Sequence, residues 1–134
     1  MLKKVVLLIE DSRFARLANQ RALTRSGFEV IATDDGQGVV DLARKNQPDV
    51  ILLDLMLPNV TGIQVLRLLK TDSQTRSIPV IVVSSLSQRN KSALLRDGAA
   101  DMLEKTDDLL RNDSARLIEA VQKVLKEKAA SRPG

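Results

Sequence analysis

The sequence predicts an α/β fold, a doubly wound five-stranded parallel sheet with helices on both faces. Five short aliphatic segments alternate along the chain with five segments of helical character, the order expected when each strand is followed by a crossover helix. Residues 50–53 are four consecutive aliphatic residues, which is typical of a strand buried on both faces of a parallel sheet.

Length and composition indicate one globular domain. The chain has 134 residues, of which 43% are hydrophobic, enough to bury a core. No stretch approaches the roughly 18 apolar residues of a membrane span, and the N-terminus lacks a signal-peptide cleavage site, so we expect a cytoplasmic protein without membrane contact. Residues 1–128 are expected to form the domain, and residues 129–134 a flexible tail.

Several kinds of chemistry are excluded by residues that the chain lacks. It contains no cysteine and no histidine, so disulfides, thiol catalysis and serine–histidine catalysis are impossible, and any metal must be a hard cation held by oxygen. The formal charge is only +4, and Phe14 and Phe28 are the only aromatic residues. We therefore expect no direct nucleic-acid binding; the basic residues of the second half indicate a solvated face or a protein-docking surface.

The elements follow from aliphatic runs and capping residues. The predicted strands are residues 4–9, 28–33, 50–54, 78–83 and 101–104. The first predicted helix follows Ser12, the second covers about 37–45, and the third begins at Thr61 and Gly62. The fourth and fifth cover about 88–96 and 114–128. We expect residues 107–113 to form an irregular polar link.

Apolar spacing predicts which side of each helix is buried. Asp11 or Ser12 can cap the first helix, and Gly27 is expected to end it. Its buried stripe is predicted at three residues spaced by four, namely Phe14, Ala18 and Ala22. In the third and last helices the predicted inner residues are Val65, Leu66 and Leu69, and Leu117, Ile118, Val121, Val124 and Leu125.

Four predicted strands end on polar residues. Glu10 and Asp11 follow the first strand, Asp54 ends the third, Ser84 follows the fourth and Lys105 follows the fifth. These strands can be neighbours in a doubly wound sheet, whose ligand sites lie at the carboxyl ends of the strands. The sequence therefore predicts that three carboxylates, a hydroxyl group and an ammonium group meet at one edge.

Such a cluster suits phosphoryl transfer. Three adjacent carboxylates repel one another, and a divalent cation relieves the repulsion. Ligands that are all oxygen favour Mg²⁺, which together with one ammonium and one hydroxyl group can neutralise a transferring phosphoryl group. Because aspartate can act as the accepting nucleophile, we predict that Asp54 is phosphorylated.

With these residues the sequence resembles the receiver domains of bacterial two-component response regulators. The resemblance extends from about residue 3 to residue 126 and implies the strand order 2-1-3-4-5. The residues that carry it are Glu10, Asp11, Asp54, Leu57, Pro58, Gly62, Ser84, Gly98, Ala99 and Lys105.

The resemblance implies a role for each acidic residue. Asp54 would accept the phosphoryl group from a phosphohistidine of a sensor kinase or phosphotransfer protein. Asp11, Asp54 and the backbone carbonyl of Met56 would bind Mg²⁺, and Glu10 would act largely through water. The missing histidine agrees with this, because the donor imidazole must come from another protein.

The resemblance also implies how the phosphorylated state is recognised. Lys105 would pair with the phosphoryl oxygens, and Ser84 would turn inward to hydrogen-bond them. A downstream protein would then bind the face formed by the fourth helix, fifth strand and fifth helix. The chain would be a free-standing receiver that signals by protein contact and catalyses only its own phosphorylation and slow dephosphorylation.

Four positions at which the chain is compared with the family pattern bear on switching and lifetime. Thr106 stands where the family usually has proline, and Met102 where it often has an aromatic switch residue. Met56 and Leu86 occupy the positions that tune hydrolysis in the family. Both are apolar and cannot orient a water molecule, which predicts slow loss of the phosphoryl group.

Two alternatives belong to other functional classes. The first is a receiver-like scaffold that binds partners without being phosphorylated. The second is an aspartyl-phosphate hydrolase with turnover; such enzymes usually carry a second acid two residues after the nucleophile, where this chain has Met56. The acidic pocket disfavours the first alternative and Met56 disfavours the second.

Overall fold

The computed structural model describes residues 3–55, 57, 61–84, 91–104 and 109–131, with the backbone alone described for 109–114 and 131. The strands are β1 Val5–Ile9, β2 Glu29–Thr33, β3 Val50–Asp54, β4 Val80–Ser84 and β5 Asp101–Glu104. The helices are α1 Arg13–Arg25, α2 Val39–Asn46, α3 Gly62–Thr71, α4 Lys91–Arg96 and α5 Leu109–Ser131.

The strands form one parallel sheet in the order β2-β1-β3-β4-β5. The predicted fold class and strand order are both confirmed. All five residues of the central strand β3 are buried, as the aliphatic run predicted. This arrangement puts the ends of β1, β3 and β4 side by side at one edge of the sheet.

Alternate residues of the strands face two separate apolar layers. One layer packs β1 and β3 against α2, α3 and α4, and includes Leu7, Ile9, Ile51, Leu53, Val65, Leu66 and Leu69. The other packs the opposite face against α1 and α5, and includes Val6, Leu8, Val50, Leu52, Leu117, Val121 and Val124. The predicted inner residues of α3 and α5 are thereby confirmed, because burial of their apolar side chains holds these helices on the sheet.

The buried side of α1 differs from the prediction. Ser12 caps this helix, and its Oγ accepts a hydrogen bond from the amide of Ala15. Phe14, however, is 70% exposed and Ala18 is also exposed, so the predicted stripe is wrong. The less exposed side of the helix carries Ala15, Asn19 and Leu23, each one position after a predicted residue, and of the predicted three only Ala22 is partly buried.

The last helix is longer than predicted at both ends. It begins at Leu109 and continues to Ser131, so residues 109–113 are helical and the predicted irregular link is wrong there. Leucine and arginine, which favour helix, occur in the first extension, and alanine, which favours it most, occurs in the second. Neither α5 nor any other helix in the described part of the chain is long and apolar enough to cross a bilayer.

Charged residues join α2 to the end of α3. Arg44 donates through its Nε and Nη2 atoms to Oδ1 of Asp72, and the same carboxylate accepts hydrogen bonds from the amide of Gln74 and the hydroxyl of Thr75. The hydrogen bond with Arg44 lowers the pKa of Asp72 below its usual value. These contacts order the turn that leads from α3 toward β4.

Candidate functional site

Three carboxylates meet at the carboxyl end of the sheet. Glu10 and Asp54 are each 2% exposed, whereas Asp11 is exposed. One carboxylate oxygen from each of the three residues lies within 4.8 Å of the other two. The predicted acidic cluster therefore exists among the described residues.

The strand register brings the carboxylates together. Ile9 of β1 pairs with Leu53 of β3, so Glu10 and Asp54 are the next residues along two adjacent parallel strands. Asp11 follows Glu10 in the turn that leads into α1. Because the two strands are parallel, their polar ends come out at the same edge.

Hydrogen bonds hold Glu10 by its backbone and its side chain. Its amide donates to the carbonyl of Thr33 at 3.0 Å, which continues the pairing of β1 with β2. Its Oε1 accepts a hydrogen bond from the amide of Ser12 at 3.2 Å. The buried carboxylate of Glu10 therefore has a defined direction beside Asp54.

The donor set fits a magnesium ion. Two ligands that are each 2.0–2.1 Å from one Mg²⁺ ion are at most about 4.2 Å apart, so carboxylate oxygens within 4.8 Å of one another need only small side-chain movements. All three donors are hard oxygen atoms, which Mg²⁺ prefers. A divalent cation would also offset the repulsion between the three negative charges.

Ser84 lies at the same edge of the sheet. It is the last residue of β4 and is fully buried. Asp54 pairs with Val83, the residue before Ser84, so the hydroxyl-bearing residue is one position beyond the strand partner of Asp54. Ser84 itself pairs with Glu104, the last residue of β5.

Two predicted site residues, Lys105 and Met56, lie outside the described residues. In the sequence Lys105 directly follows Glu104, the last residue of β5, and Met56 follows Leu55. Their predicted roles, to pair with phosphoryl oxygens and to offer a backbone carbonyl to the metal, therefore stay predictions.

Gly62, the first residue of α3, lies against the backbone of Asp54 and Leu55. The amide of Gly62 donates to the carbonyl of Leu55 at 3.0 Å, and Thr61 and Gln64 form a reciprocal cap at the start of α3. A Cβ atom on Gly62 would lie 2.4 Å from Cα of Leu55 and 2.7 Å from the carbonyl oxygen of Asp54. Helix α3 can approach the end of β3 this closely because residue 62 has no side chain.

Arg16 contacts the acidic turn, and sequence reasoning missed it. Its Nη1 atom donates to the carbonyl oxygen of Glu10 at 3.0 Å, and Asp11 O lies 3.5 Å away. An arginine at the fourth position of a helix, five residues after Asp11, looks like an ordinary surface residue in the sequence. Only its direction in the structure reveals the contact.

Comparison with known proteins agrees with this geometry. A family model described as the response regulator receiver domain matches residues 6–128. The polar-differentiation response regulator DivK of Brucella anthropi is 36% identical over 98 residues, which are 73% of this chain and 80% of DivK.

Solved structures with the same fold include two response regulators. The chemotaxis response regulator CheY4 of Vibrio cholerae matches with a TM-score of 0.81 and 26% identity, over 92% of this chain and 99% of CheY4. The Mn²⁺-bound form of the response regulator Rcp1 matches with a TM-score of 0.73 and 28% identity, over 89% of this chain and 91% of Rcp1. By its sequence, its sheet order and its acidic edge, this chain belongs to the response regulator receiver domain family.

Proposed function

We propose that this receiver accepts a phosphoryl group on Asp54 in a Mg²⁺-dependent reaction and passes the signal on by protein contact. The observation that carries the proposal is the buried carboxylate of Asp54 within 4.8 Å of those of Glu10 and Asp11. A scaffold that worked without phosphorylation would have no use for three mutually repelling carboxylates, two of them buried.

Asp11 and Asp54, with the backbone carbonyl of Met56, would hold the metal ion, and Glu10 would act through bound water. When bound, Mg²⁺ supplies positive charge to the acceptor carboxylate and to the phosphoryl oxygens. The Mn²⁺-bound form of the similar regulator Rcp1 supports this assignment, because Mn²⁺ also suits oxygen ligands.

In the proposed reaction a carboxylate oxygen of Asp54 attacks the phosphorus atom of a phosphohistidine. The new P–O bond forms as the P–N bond breaks, and the electron pair of the P–N bond stays on the imidazole nitrogen of the donor. Lys105 would pair with the phosphoryl oxygens as a point charge. Ser84, buried one position beyond the strand partner of Asp54, would donate its hydroxyl hydrogen to one of them.

The proposed donor is a sensor histidine kinase or a phosphotransfer protein. This chain has no histidine of its own, so the phosphorylated imidazole must come from a partner. The helix that follows the acidic pair supports such docking, because α1 exposes Phe14 and Leu17 and contains arginine but no acidic residue. Sensor kinases form phosphohistidine from ATP, which is available in the cytoplasm. We therefore propose that this chain binds its phosphodonor there.

The proposed output surface consists of α4, β5 and α5. Lys91 of α4 and Asp101 of β5 form an ion pair at 3.4 Å, and Leu95 of α4 is 41% exposed. An exposed apolar side chain beside charged residues suits a protein-docking surface. Movement of Ser84 toward a phosphoryl group would act on α4, since the segment after Ser84 leads into that helix.

Labelling with a small phosphodonor tests the proposed function. We expect acetyl phosphate to add one phosphoryl group to the wild-type protein in the presence of Mg²⁺, and none when EDTA removes the metal. Intact-mass spectrometry measures both states without a partner kinase. A protein that stays unlabelled with Mg²⁺ present, although folded by circular dichroism, would favour the phosphorylation-independent scaffold.

The phosphorylated protein is expected to lose its label slowly and without substrate turnover. Met56 and Leu86 are apolar and cannot position a water molecule for attack on the phosphoryl group. We therefore expect a half-life well above seconds once free acetyl phosphate is removed, followed by intact mass over time. Substitution of Met56 or Leu86 by a polar residue should shorten it, and a wild-type half-life of seconds would refute this expectation.

A further inference from the structure

We propose that Arg16 is a positioning residue for the metal site: its guanidinium group fixes the turn between β1 and α1, and so aims the carboxylates of Glu10 and Asp11 at the cation. This inference rests on the proposed function, because it concerns the same Mg²⁺ site. It adds a residue outside the acidic cluster, and its test does not depend on phosphorylation.

The contact joins a helix to the turn that precedes it. The amide of Arg16 donates to the carbonyl of Ser12 at 2.8 Å in the first turn of α1. The side chain of Arg16 returns past the start of the helix, where Nη1 donates to the carbonyl oxygen of Glu10 at 3.0 Å and reaches that of Asp11 at 3.5 Å. One nitrogen atom thus contacts the backbone of both acidic residues.

Arg16 adds a further hydrogen bond that holds the backbone of Glu10 in place. The amide of this residue donates to the carbonyl of Thr33, its carbonyl accepts from Arg16, and its Oε1 accepts from the amide of Ser12. The contact at the carbonyl comes from a charged donor, and charged donors form stronger hydrogen bonds than neutral ones. Asp11 is exposed and lies in the turn, so its direction depends on how firmly that turn is held.

Groups that orient metal ligands have measurable effects on affinity. Loss of a hydrogen-bonding partner of a ligand typically costs 10- to 100-fold in metal affinity, although the partner never touches the metal. The contacts of Arg16 are to the ligands' backbone, so we expect a loss near the lower end of that range.

If Arg16 acted only through its positive charge, its removal would change the Mg²⁺ affinity in the opposite direction. A guanidinium group near the cluster repels an incoming cation, so removal of its charge alone would tighten Mg²⁺ binding. A weaker affinity after neutralisation of Arg16 is therefore a result that electrostatics cannot produce. This difference in sign separates positioning from charge.

The test is a calorimetric Mg²⁺ titration of the full chain with three substitutions. Arg16→Met keeps most of the aliphatic stem and removes the donor, and we expect its affinity to fall about tenfold. Arg16→Lys keeps the charge and one donor group, and should lose only about two- to threefold because the ammonium is less well pre-organised. Arg13→Met removes an equal charge from an exposed residue at the start of the same helix, and should not weaken binding.

Melting temperatures measured without metal show whether each variant is folded. The inference is overturned if folded Arg16→Met binds Mg²⁺ as tightly as the wild type or more tightly, or if Arg13→Met weakens binding equally. If Arg16→Met does not fold, Arg16→Lys is compared with Arg13→Lys, and equal affinities overturn the inference. A wild-type protein that fails to bind Mg²⁺ would instead overturn the metal part of the proposed function, and this inference with it.

Discussion

Asp54→Asn is expected to abolish labelling by acetyl phosphate while the protein stays folded. Asparagine has nearly the same shape as aspartate, but its neutral amide is not a nucleophile toward phosphorus. The residue is buried beside Glu10 and Asp11, so the substitution also removes one of three clustered negative charges. Intact mass after incubation with acetyl phosphate and Mg²⁺ should show the wild type labelled and the variant unlabelled.

Asp34→Asn provides the matched control. Asp34 follows β2 at the same end of the sheet and is exposed, and it does not belong to the described acidic cluster. This variant should be labelled to the same extent as the wild type. Label that persists in Asp54→Asn, or disappears in Asp34→Asn, would show that Asp54 is not the sole acceptor.

Gly62→Ala is expected to destabilise the fold and to impair labelling together. The added Cβ atom would meet Cα of Leu55 at 2.4 Å and the carbonyl oxygen of Asp54 at 2.7 Å. Both are backbone atoms and cannot rotate away, so α3 or the end of β3 has to shift. Overpacking of this kind costs about 1–3 kcal/mol, measurable as a loss in the free energy of unfolding by urea.

Gly27→Ala is the control that shows whether a loss of stability alone impairs labelling. Gly27 has a φ of +95° and no atom within 4 Å of its missing Cβ, so alanine there costs about 1–2 kcal/mol for its left-handed backbone alone. Gly27 follows the C-terminal end of α1, away from the acidic cluster. We expect Gly27→Ala to lower stability without slowing labelling, whereas Gly62→Ala lowers both; wild-type stability and labelling in Gly62→Ala would contradict the close approach.

Local patterns were reliable where burial is nearly complete. The aliphatic run of β3 predicted a strand that is buried throughout, and Thr61 with Gly62 correctly marked the start of α3. The pattern failed on α1, where Phe14 and Ala18 have the helical spacing of a buried stripe but are exposed. Because alanine can occupy either side of a helix at little cost, spacing alone did not identify the face that packs on the sheet and α5.

The chemistry available to this protein was determined by the sequence. The chain has no cysteine or histidine, and it has carboxylates at the ends of two strands and a lysine after another. It therefore offers oxygen ligands for a metal and an aspartate as the predicted acceptor. The strand order came with the resemblance to receiver domains, since composition and periodicity do not specify which strands are adjacent.

Only the tertiary structure determines the distances between the residues of the candidate site. The pairing of Ile9 with Leu53 brings the carboxylates within 4.8 Å, and the guanidinium of Arg16 turns back to the acidic turn. Helix α3 approaches Asp54 and Leu55 so closely that a Cβ atom on residue 62 would clash with their backbone. Each of these contacts depends on how separate segments pack, and a side chain's packing partners are not encoded in its immediate neighbours along the chain.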